Sequence, residues 1–413
     1  MMNRRFFLHR GALAVATTAA LPSFLLRAAL AEAGPAPRRR LVVIFQRGAA
    51  DGLNIVIPHA EKNYALLRPG IGIPREQVLD LDDFFGLHPA MASFKPLYDA
   101  GQLAIVHAAG SPDATRSHFD AQDFMESGTP GEKNTDDGWL NRALQAEDAR
   151  RRLPHTAFRA VALGPDLPRT LAGTVPALAL DNVENFAVGG RGAAPQPAAV
   201  AFETMYAGSS DSILHRAGEE AFDAIRMLRE ANPAQYKPAA GVDYPNGELG
   251  NNLRQIAQLL KADLGVETAF TECSGWDTHQ NQGGATGQLA NRLAEFSQAI
   301  AAFWQDMGDQ AEDITLVTMS EFGRTAKENG TGGTDHGHAN CMFVLGGRVK
   351  GGKVYGAWPG LDNDRLNEGR DLKLTTDFRQ VLAEATAHAL GPVDLKAVFP
   401  GAGAAALRPL GLV

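Results

Sequence analysis

Cysteine is almost absent from this 413-residue chain, which contains only Cys273 and Cys341. Two cysteines exclude a disulfide-rich scaffold, and without Cys-x-x-Cys spacing neither is predicted to bind a metal. Each lies beside one of the polar clusters described below. One disulfide in an oxidising compartment and two unpaired buried thiols are therefore equal alternatives at this point.

Several motifs of large enzyme classes are also missing. The sequence has no Walker loop, no G-x-S-x-G, no H-E-x-x-H and no G-x-G-x-x-G after its first predicted strand. These absences argue against NTPases, α/β-hydrolases, zincins and dinucleotide enzymes. No cofactor motif supports an oxidoreductase.

Long apolar runs and basic blocks are scarce as well. Beyond the N-terminus no apolar run approaches the roughly 20 residues that a membrane helix needs, so no stable membrane span is predicted. The formal net charge is −8, and the one basic block is Arg38-Arg39-Arg40. An acidic chain of this kind is not expected to bind nucleic acid.

The first 31 residues are predicted to be an export signal. Adjacent arginines precede Phe-Phe-Leu at 4–8, an apolar run follows at 11–26, and small residues end at Ala31. The arginine pair favours a twin-arginine signal over an ordinary Sec signal. We therefore predict export by the twin-arginine (Tat) machinery to the periplasm, with residues 32–39 as a Pro/Ala linker.

Apolar runs that predict strands alternate with helical patterns along the rest of the chain. Residues 40–46 form a continuous apolar run, as expected of a strand buried on both faces of a parallel sheet. Strand, glycine turn and helix, repeated, indicate an α/β fold with a mostly parallel central sheet flanked by helices. Further strands are predicted at 103–107, 160–163, 175–180, 266–270, 314–319 and 342–345, helices at 211–232, 250–264, 287–306 and 378–390, and a surface loop at 184–200.

Three polar clusters on glycine-rich turns carry side chains that bind metals. Imidazole suits Zn, Mn or Fe, and carboxylates also suit Mg or Ca. Because strand ends of a parallel sheet open on one crevice, atoms from at least two clusters are expected within about 4–5 Å of each other. The candidate ligands are Asp277, His279, Glu321, Asp335, His336 and His338.

Three further residues are candidates from their positions alone. Asp51 follows the first strand and could bind a metal, although Asp-Gly is also a common turn. Ser117, next to His118, could be a nucleophile or the N-cap of a helix. Arg324 could hold an anionic substrate or form a structural ion pair with Glu321.

Five segments, taken in order, resemble the DUF1501 family: 41–54, 117–123, 275–279, 320–325 and 333–339. This is a family of exported proteins related at a distance to the alkaline phosphatase and sulfatase superfamily. The resemblance implies an alkaline phosphatase-like three-layer sandwich over residues 40–395, followed by a tail at 396–413. It also implies a two-metal site with a Ser nucleophile, at positions Asp51, Ser117, Asp277, His279, Glu321 and His336 or His338.

The sequence departs from the superfamily pattern at three points, one of which is the spacing of Asp277 and His279, which is shorter than usual. The Asp-His strand end of the superfamily is here Glu321-Phe322, so one imidazole is missing unless Asp335 or His336 replaces it. The sulfatase Cys/Ser-x-Pro-x-Arg signature is absent.

The predicted function is that of an exported hydrolase of small anionic phosphate or sulfate esters that uses divalent metal (Zn, Mn, Fe, Mg or Ca). The alternative is a non-catalytic periplasmic binding or assembly protein that retains the fold.

Overall fold

A computed structural model of the chain describes residues 39–151, 155–183, 224–228 and 235–413. The predicted export signal (1–31), nearly all of the linker (32–39) and the predicted loop (184–200) lie outside these residues. So does most of the predicted helix at 211–232, of which residues 224–228 are described and are helical.

The described strands form one nine-stranded sheet and one small sheet. The large sheet has the order β11-β5-β10-β9-β1-β8-β6-β7, with β12 beside β5, and the small one has the order β2-β4-β3. The strands are β1 (Arg40–Arg47), β2 (Val56–Ile57), β3 (Leu79–Asp80), β4 (Gly86–Leu87), β5 (Leu103–Gly110), β6 (Ala160–Leu163), β7 (Leu178–Leu180), β8 (Thr268–Ser274), β9 (Ile314–Ser320), β10 (Asn340–Gly346), β11 (Lys353–Tyr355) and β12 (Thr376–Asp377).

Helices connect these strands. The longest, α7, has 20 residues, and several others are single turns. The α-helices that accompany these strands are α1 (Gly52–Ile55), α2 (Lys62–Leu67), α3 (Lys95–Asp99), α4 (His118–Ser127), α5 (Trp139–Arg151), α6 (Glu248–Lys261), α7 (Gln288–Met307), α8 (Phe378–Leu390) and α9 (Leu395–Val398).

Helices cover both faces of the large sheet. Val42 and Ile44 of β1 belong to a core that also contains side chains of α6 and α7. Leu41, Val43 and Phe45 point the other way, into a core shared with α5 and α8. The alternation explains why β1 is apolar throughout, since both of its faces are buried. The predicted mostly parallel sheet with helices on each side is confirmed.

One strand of the large sheet runs against the others. β10 pairs antiparallel with both β5 and β9, whereas β1 pairs parallel with β8 and β9. The loop that precedes β10 therefore lies at the edge where the parallel strands end. Because β10 is antiparallel, the loop before it can contact the loops that follow the parallel strands.

The predicted boundaries agree best where local end signals are strong. The helix predicted at 378–390 is found at Phe378–Leu390, where Asp377 and Gln380 form a capping box and Gly391 follows the last turn. The strand predicted at 175–180 starts only at Leu178, after Pro176, which has no N–H to give to a sheet. The strand predicted at 266–270 is found at Thr268–Ser274.

The predicted tail, residues 396–413, packs against the fold. Val398, Phe399 and Leu412 are buried. The Glu384 carboxylate accepts hydrogen bonds from the backbone N–H groups of Leu410, Gly411 and Val413. In the described part of the chain, no helix is long and apolar enough to cross a membrane.

The two cysteines are not bonded to each other. Cys273 and Cys341 are free and buried, and both belong to the core beneath α6 and α7. Burial raises the pKa of the Cys273 thiol to about 12, so this thiol is protonated at neutral pH. Of the two alternatives for these residues, the structure has the unpaired thiols.

The buried His107 on β5 makes the free energy of unfolding sensitive to acid. Burial lowers its pKa to about 4, although its Nε2 bonds the Val56 carbonyl at 2.9 Å. Between pH 6.5 and 4 the unfolded chain binds the extra proton, so stability falls as pH falls through this window. We expect His107→Gln to reduce the pH 7 to pH 4.5 loss in unfolding free energy by roughly 2 kcal/mol. Urea unfolding of chelator-treated protein measures this, and an unchanged pH dependence would refute it.

Candidate metal centre

Four segments bring polar side chains to the C-terminal edge of the large sheet. Residues 277–279 follow β8, residues 321–324 follow β9, and the first turn of α4 follows β5. The turn at 335–338 precedes β10 and reaches the same edge because β10 is antiparallel. In α/β proteins, ligands bind in the crevice at the carboxyl ends of the parallel strands.

Backbone hydrogen bonds hold the loops together. The Gly337 N–H donates to the Gly323 carbonyl and the Gly323 N–H to the His338 carbonyl, both at 2.8 Å. The Thr334 N–H donates to the Thr278 carbonyl at 3.2 Å, which joins the turn before β10 to the loop after β8. The loops are therefore fixed relative to each other before any side chain is considered.

Three imidazoles lie together at this edge, with His336 in contact with both of the other two. His336 Nε2 lies 3.0 Å from His118 Nε2 and 2.9 Å from His279 Nε2. The Asp277 carboxylate is the fourth group, with Oδ1 3.0 Å from His279 Nε2 and 3.3 Å from His336 Nε2. His118, Asp277 and His336 each offer a ligand atom within 4.8 Å of the other two. The spacing expected from the sequence, about 4–5 Å between clusters, is met.

The outer nitrogen of each imidazole bonds an acceptor. His118 Nδ1 lies 2.8 Å from Glu321 Oε1, and His279 Nδ1 lies 3.0 Å from Asp335 Oδ1. His336 Nδ1 lies 2.9 Å from the Arg116 carbonyl oxygen. Metal-binding histidines in proteins are oriented in this way, by a carboxylate or a carbonyl on the nitrogen that does not bind the metal.

These partners decide where the imidazole protons are. Carboxylates and carbonyls only accept, so each Nδ1 must carry the hydrogen and each neutral ring presents an Nε2 lone pair to the centre. Lone pairs that face each other at 2.9–3.0 Å repel unless a cation or a proton lies between them. The arrangement therefore fits a bound cation.

The carboxylates around the rings are held in their charged form. Burial acts to raise the pKa of Glu321, but hydrogen bonds from His118, Gln122 and the Gly48 N–H outweigh it, and the pKa is lowered. The hydrogen bond from His279 lowers the pKa of Asp335. Burial also acts to raise the pKa of Asp277, and the ion pair with Arg324 more than reverses it. All three stay charged acceptors at neutral pH.

The ligand set matches the preferences of zinc and its neighbours. Three nitrogens and one carboxylate oxygen suit Zn or another late divalent metal better than Ca or Mg, which prefer oxygen ligands. Ligand atoms at roughly 2.0–2.1 Å from a tetrahedral ion lie about 3.3–3.4 Å apart. The His336–Asp277 distance of 3.3 Å agrees with this, and the two Nε2–Nε2 distances, 3.0 and 2.9 Å, are shorter. His279 lies beside the group formed by His118, Asp277 and His336. Asp277 and His279 keep 44% and 39% of their side-chain surface, so one side of the centre faces solvent.

The structure does not bring Asp51 into this cluster. Its carboxylate is buried and forms a two-pronged ion pair with Arg68, at 2.6 and 2.9 Å. Gln282 Nε2 donates to the same carboxylate at 2.7 Å. With these bonds Asp51 stabilises the loops from beneath. Of the two roles that the sequence left open, a metal ligand and a residue of a turn, the structure does not support the first.

Arg324 is likewise used by the protein itself. Its guanidinium is completely buried and bonds backbone carbonyls of three loops and the Asp277 carboxylate. Its predicted role, holding an anionic substrate, does not fit, since the side chain is buried and each of its three nitrogens already donates to a protein acceptor. Its carboxylate partner is Asp277 rather than Glu321.

The other predicted residues have distinct positions. Glu321 and Asp335 orient imidazoles and face the centre only through them. The His338 ring lies apart, near Asp371, and burial lowers its pKa. Ser117 is the N-cap of α4, where its Oγ accepts from the Asp120 N–H at 3.5 Å.

His118 is the residue that the ligand prediction missed. It is the first residue of α4, and its ring packs on Phe322, with the centroids 4.9 Å apart. In the sequence it follows Ser117, and the prediction for this segment concerned Ser117 as a nucleophile or helix cap. A histidine in the first helical turn after a strand was the available signal, because that turn lies at the same sheet edge as the other clusters.

The sequence matches one family model, "Protein of unknown function (DUF1501)", over residues 38–398. The chain belongs to the DUF1501 family. No curated protein matches the sequence. The match begins just before β1 and ends with α9, so it includes every loop of the candidate centre.

Solved structures similar to this chain include three enzymes. The PsFucS1 sulfatase from Pseudoalteromonas sp. is 11% identical with a TM-score of 0.38, over 93% of this chain and 75% of that one. The phosphonate monoester hydrolase of Agrobacterium radiobacter is 11% identical with a TM-score of 0.34, over 89% and 78%. The lipoteichoic acid synthase LtaP from Listeria monocytogenes is 8% identical with a TM-score of 0.33, over 76% and 66%. With TM-scores this low, the likeness carries no conclusion about function.

Gly337, between His336 and His338, tests the close packing of the loops. A Cβ at this position would lie 2.3 Å from the carbonyl carbon and oxygen of Arg324. We expect Gly337→Ala to lower the free energy of unfolding by about 1–3 kcal/mol, since backbone cannot move aside as a side chain can. Gly330→Ala is the matched control, because no described atom lies within 4 Å of its Cβ. Equal stability of the two variants in urea unfolding would contradict the packing.

Proposed function

We propose that this protein is a metal-dependent hydrolase of phosphate or sulfate esters. The observation that carries the proposal is the convergence of three Nε2 atoms and one carboxylate, with each Nδ1 held by an acceptor. The proposed ligands are His118, Asp277, His279 and His336. A single metal fits this set, in place of the two-metal site that the resemblance implies.

Each side chain has a defined task in this proposal. A bound divalent ion would polarise an ester oxygen and lower the pKa of water. Glu321 and Asp335 keep His118 and His279 in the tautomer that binds metal. Arg324 fixes Asp277 through their ion pair. Ser117 Oγ, one residue from His118, uses a lone pair as a helix cap and keeps its proton, so a nucleophilic role stays part of the proposal.

The charge of the centre favours an anionic substrate. Three neutral imidazoles and one carboxylate leave a divalent ion with one formal positive charge. The same Asp277 carboxylate pairs with Arg324, so its single negative charge cannot also cancel the charge of that guanidinium. The positive charge on the ion itself would attract the charged oxygens of a phosphate or sulfate ester.

The experiment is a metal-dependent assay on purified protein. Chelator-treated protein would be reloaded with Zn, Mn, Fe, Mg or Ca and tested on aryl phosphate and aryl sulfate esters. We expect turnover to return with Zn or another late divalent metal. Asp277→Asn should lower kcat/KM by at least about 100-fold, because a Lewis acid contributes several kcal/mol to such reactions. Asp309→Asn, at an exposed acid away from the centre, is the matched control.

Two results would contradict the proposal in different ways. Protein that takes up no metal under any condition would remove the centre itself. Protein that binds metal stoichiometrically yet turns over neither ester class would favour the alternative, a binding or assembly protein with a structural ion.

We also propose that the protein is exported through the twin-arginine route. The support is the Arg-Arg-Phe-Phe-Leu segment at 4–8 and the apolar run behind it. Replacing Arg4 and Arg5 with Lys should leave the protein in the cytoplasm, as fractionation would measure. Unchanged export would point to the Sec route.

A further inference from the structure

A buried amide connects the two loops that carry most of the proposed ligands. Gln282 is completely buried. Its Oε1 accepts from the Thr278 hydroxyl at 2.8 Å and from the Thr334 hydroxyl at 2.9 Å. Thr278 lies between Asp277 and His279, and Thr334 lies two residues before His336.

The orientation of this amide follows from its other partner. Gln282 Nε2 lies 2.7 Å from Asp51 Oδ2, and the paired carboxylate can only accept. The nitrogen must therefore face Asp51 and the oxygen must face the threonines. Both hydroxyls must then donate to Gln282 Oε1, so both loops are tied to one atom.

A buried ion pair anchors the amide. Arg68 donates to Asp51 at 2.6 and 2.9 Å, and both side chains are at most 1% exposed. Arg68 also donates to the carbonyl oxygens of Thr325 and Ala326, at 2.8 and 3.0 Å, just after the loop that follows β9. The charged pair is held on every side, so the direction in which Asp51 presents its oxygen is fixed.

We infer that Gln282 is a positioning residue of the metal centre, which sets the distance between the Asp277–His279 loop and His336. Asp51 and Arg68 orient it. This inference rests on the proposed metal centre and gives Asp51 a role that its burial permits. Loss of both hydroxyl donors would let the loops separate, and the ligand atoms would no longer reach one ion together.

The backbone also joins these loops, with the Asn281 and Gln282 N–H groups donating to the Thr331 and Gly332 carbonyls at 3.0 and 2.8 Å. The Thr334 N–H bonds the Thr278 carbonyl at 3.2 Å, a long hydrogen bond. Asn329 Nδ2 reaches both the His279 carbonyl and Asp335, but it is at the exposed rim. Two buried side chains join the loops: Gln282 through the two threonine hydroxyls, and Arg324 through the carbonyls of Trp276 and Thr334. Water cannot take over a hydrogen bond lost at the buried Gln282 amide.

The test compares Thr278→Val/Thr334→Val with Thr278→Ser/Thr334→Ser in the full chain. Valine keeps the threonine shape without the hydroxyl, and serine keeps the hydroxyl. Zinc affinity is measured by competition with a chromophoric chelator, and the visible spectrum of the Co(II) form reports coordination geometry. We expect the valine variant to bind zinc about 10–100-fold more weakly, as for other residues that orient ligands, and to show an altered Co(II) spectrum. The serine variant should stay within about threefold of wild type.

The outcomes separate this inference from the proposed function. Valine variants with wild-type zinc affinity and Co(II) spectrum overturn the inference while the metal centre stands, even if their melting temperature falls. Wild-type protein that binds no zinc overturns both. If the double valine variant does not fold, Thr334→Val alone is compared with Thr334→Ser. The same two measurements, zinc affinity and the Co(II) spectrum, then decide between the same outcomes.

Discussion

His118→Ala is expected to weaken zinc binding on the order of 100-fold or more. The ring supplies one of the converging nitrogens, and even residues that only orient ligands change metal affinity by about 10–100-fold. Its Nε2 lies 3.0 Å from His336 Nε2, and Glu321 holds its Nδ1. Competition with a chromophoric chelator measures the affinity, and kcat/KM should fall in parallel.

His338→Ala is the control for that experiment, and it also separates two readings of the sequence. His338 was a predicted ligand of equal standing with His336, but its ring lies near Asp371, outside the cluster. Its removal should change zinc affinity by less than about threefold. If His338→Ala loses zinc and His118→Ala keeps it, the ligand set argued here is wrong.

Arg324→Ala should produce the largest loss of stability, about 3–5 kcal/mol in the free energy of unfolding. That is the usual cost of removing one member of a buried charged network. The guanidinium bonds the carbonyls of Gly48, Ala49, Trp276 and Thr334 and the Asp277 carboxylate. Without it, buried carbonyls of three loops lose their donors.

Arg365→Ala is the matched control, because its side chain is 60% exposed and its contact with Asp362 is long, at 3.8 Å. It should change stability by no more than about 0.5 kcal/mol. Urea unfolding of chelator-treated protein compares the two. Equal stability would mean that Arg324 is free for another role, such as the substrate contact expected from sequence.

The sequence predicts the central layers well because their signals are local. The apolar run of β1 requires burial on both faces, and α8 has its end signals within a few residues. The direction of β10 is not local information. An apolar run reads the same in a parallel and an antiparallel strand, so the loop before β10 could not be assigned to an edge from the sequence.

Some of the candidate ligands can be predicted from the local sequence, and others depend on the fold. The two-residue spacing of Asp277 and His279 and the composition of the turn before β10 point to a metal without any fold. The choice between His336 and His338 depends on which side of the turn faces the centre, and that is set by the pairing of the turn with Gly323. Asp51 looked like a ligand because its partner, Arg68, could not be recognised from the sequence.

X-ray absorption at the zinc edge of the zinc-loaded full-length protein tests the central claim most directly. The proposed centre would give three imidazole nitrogens, with carboxylate or water oxygen, at roughly 2.0–2.1 Å from the ion. His118→Ala should reduce the imidazole count by one. A shell of oxygen alone, or an imidazole count that His118→Ala leaves unchanged, would contradict the three-histidine, one-aspartate centre.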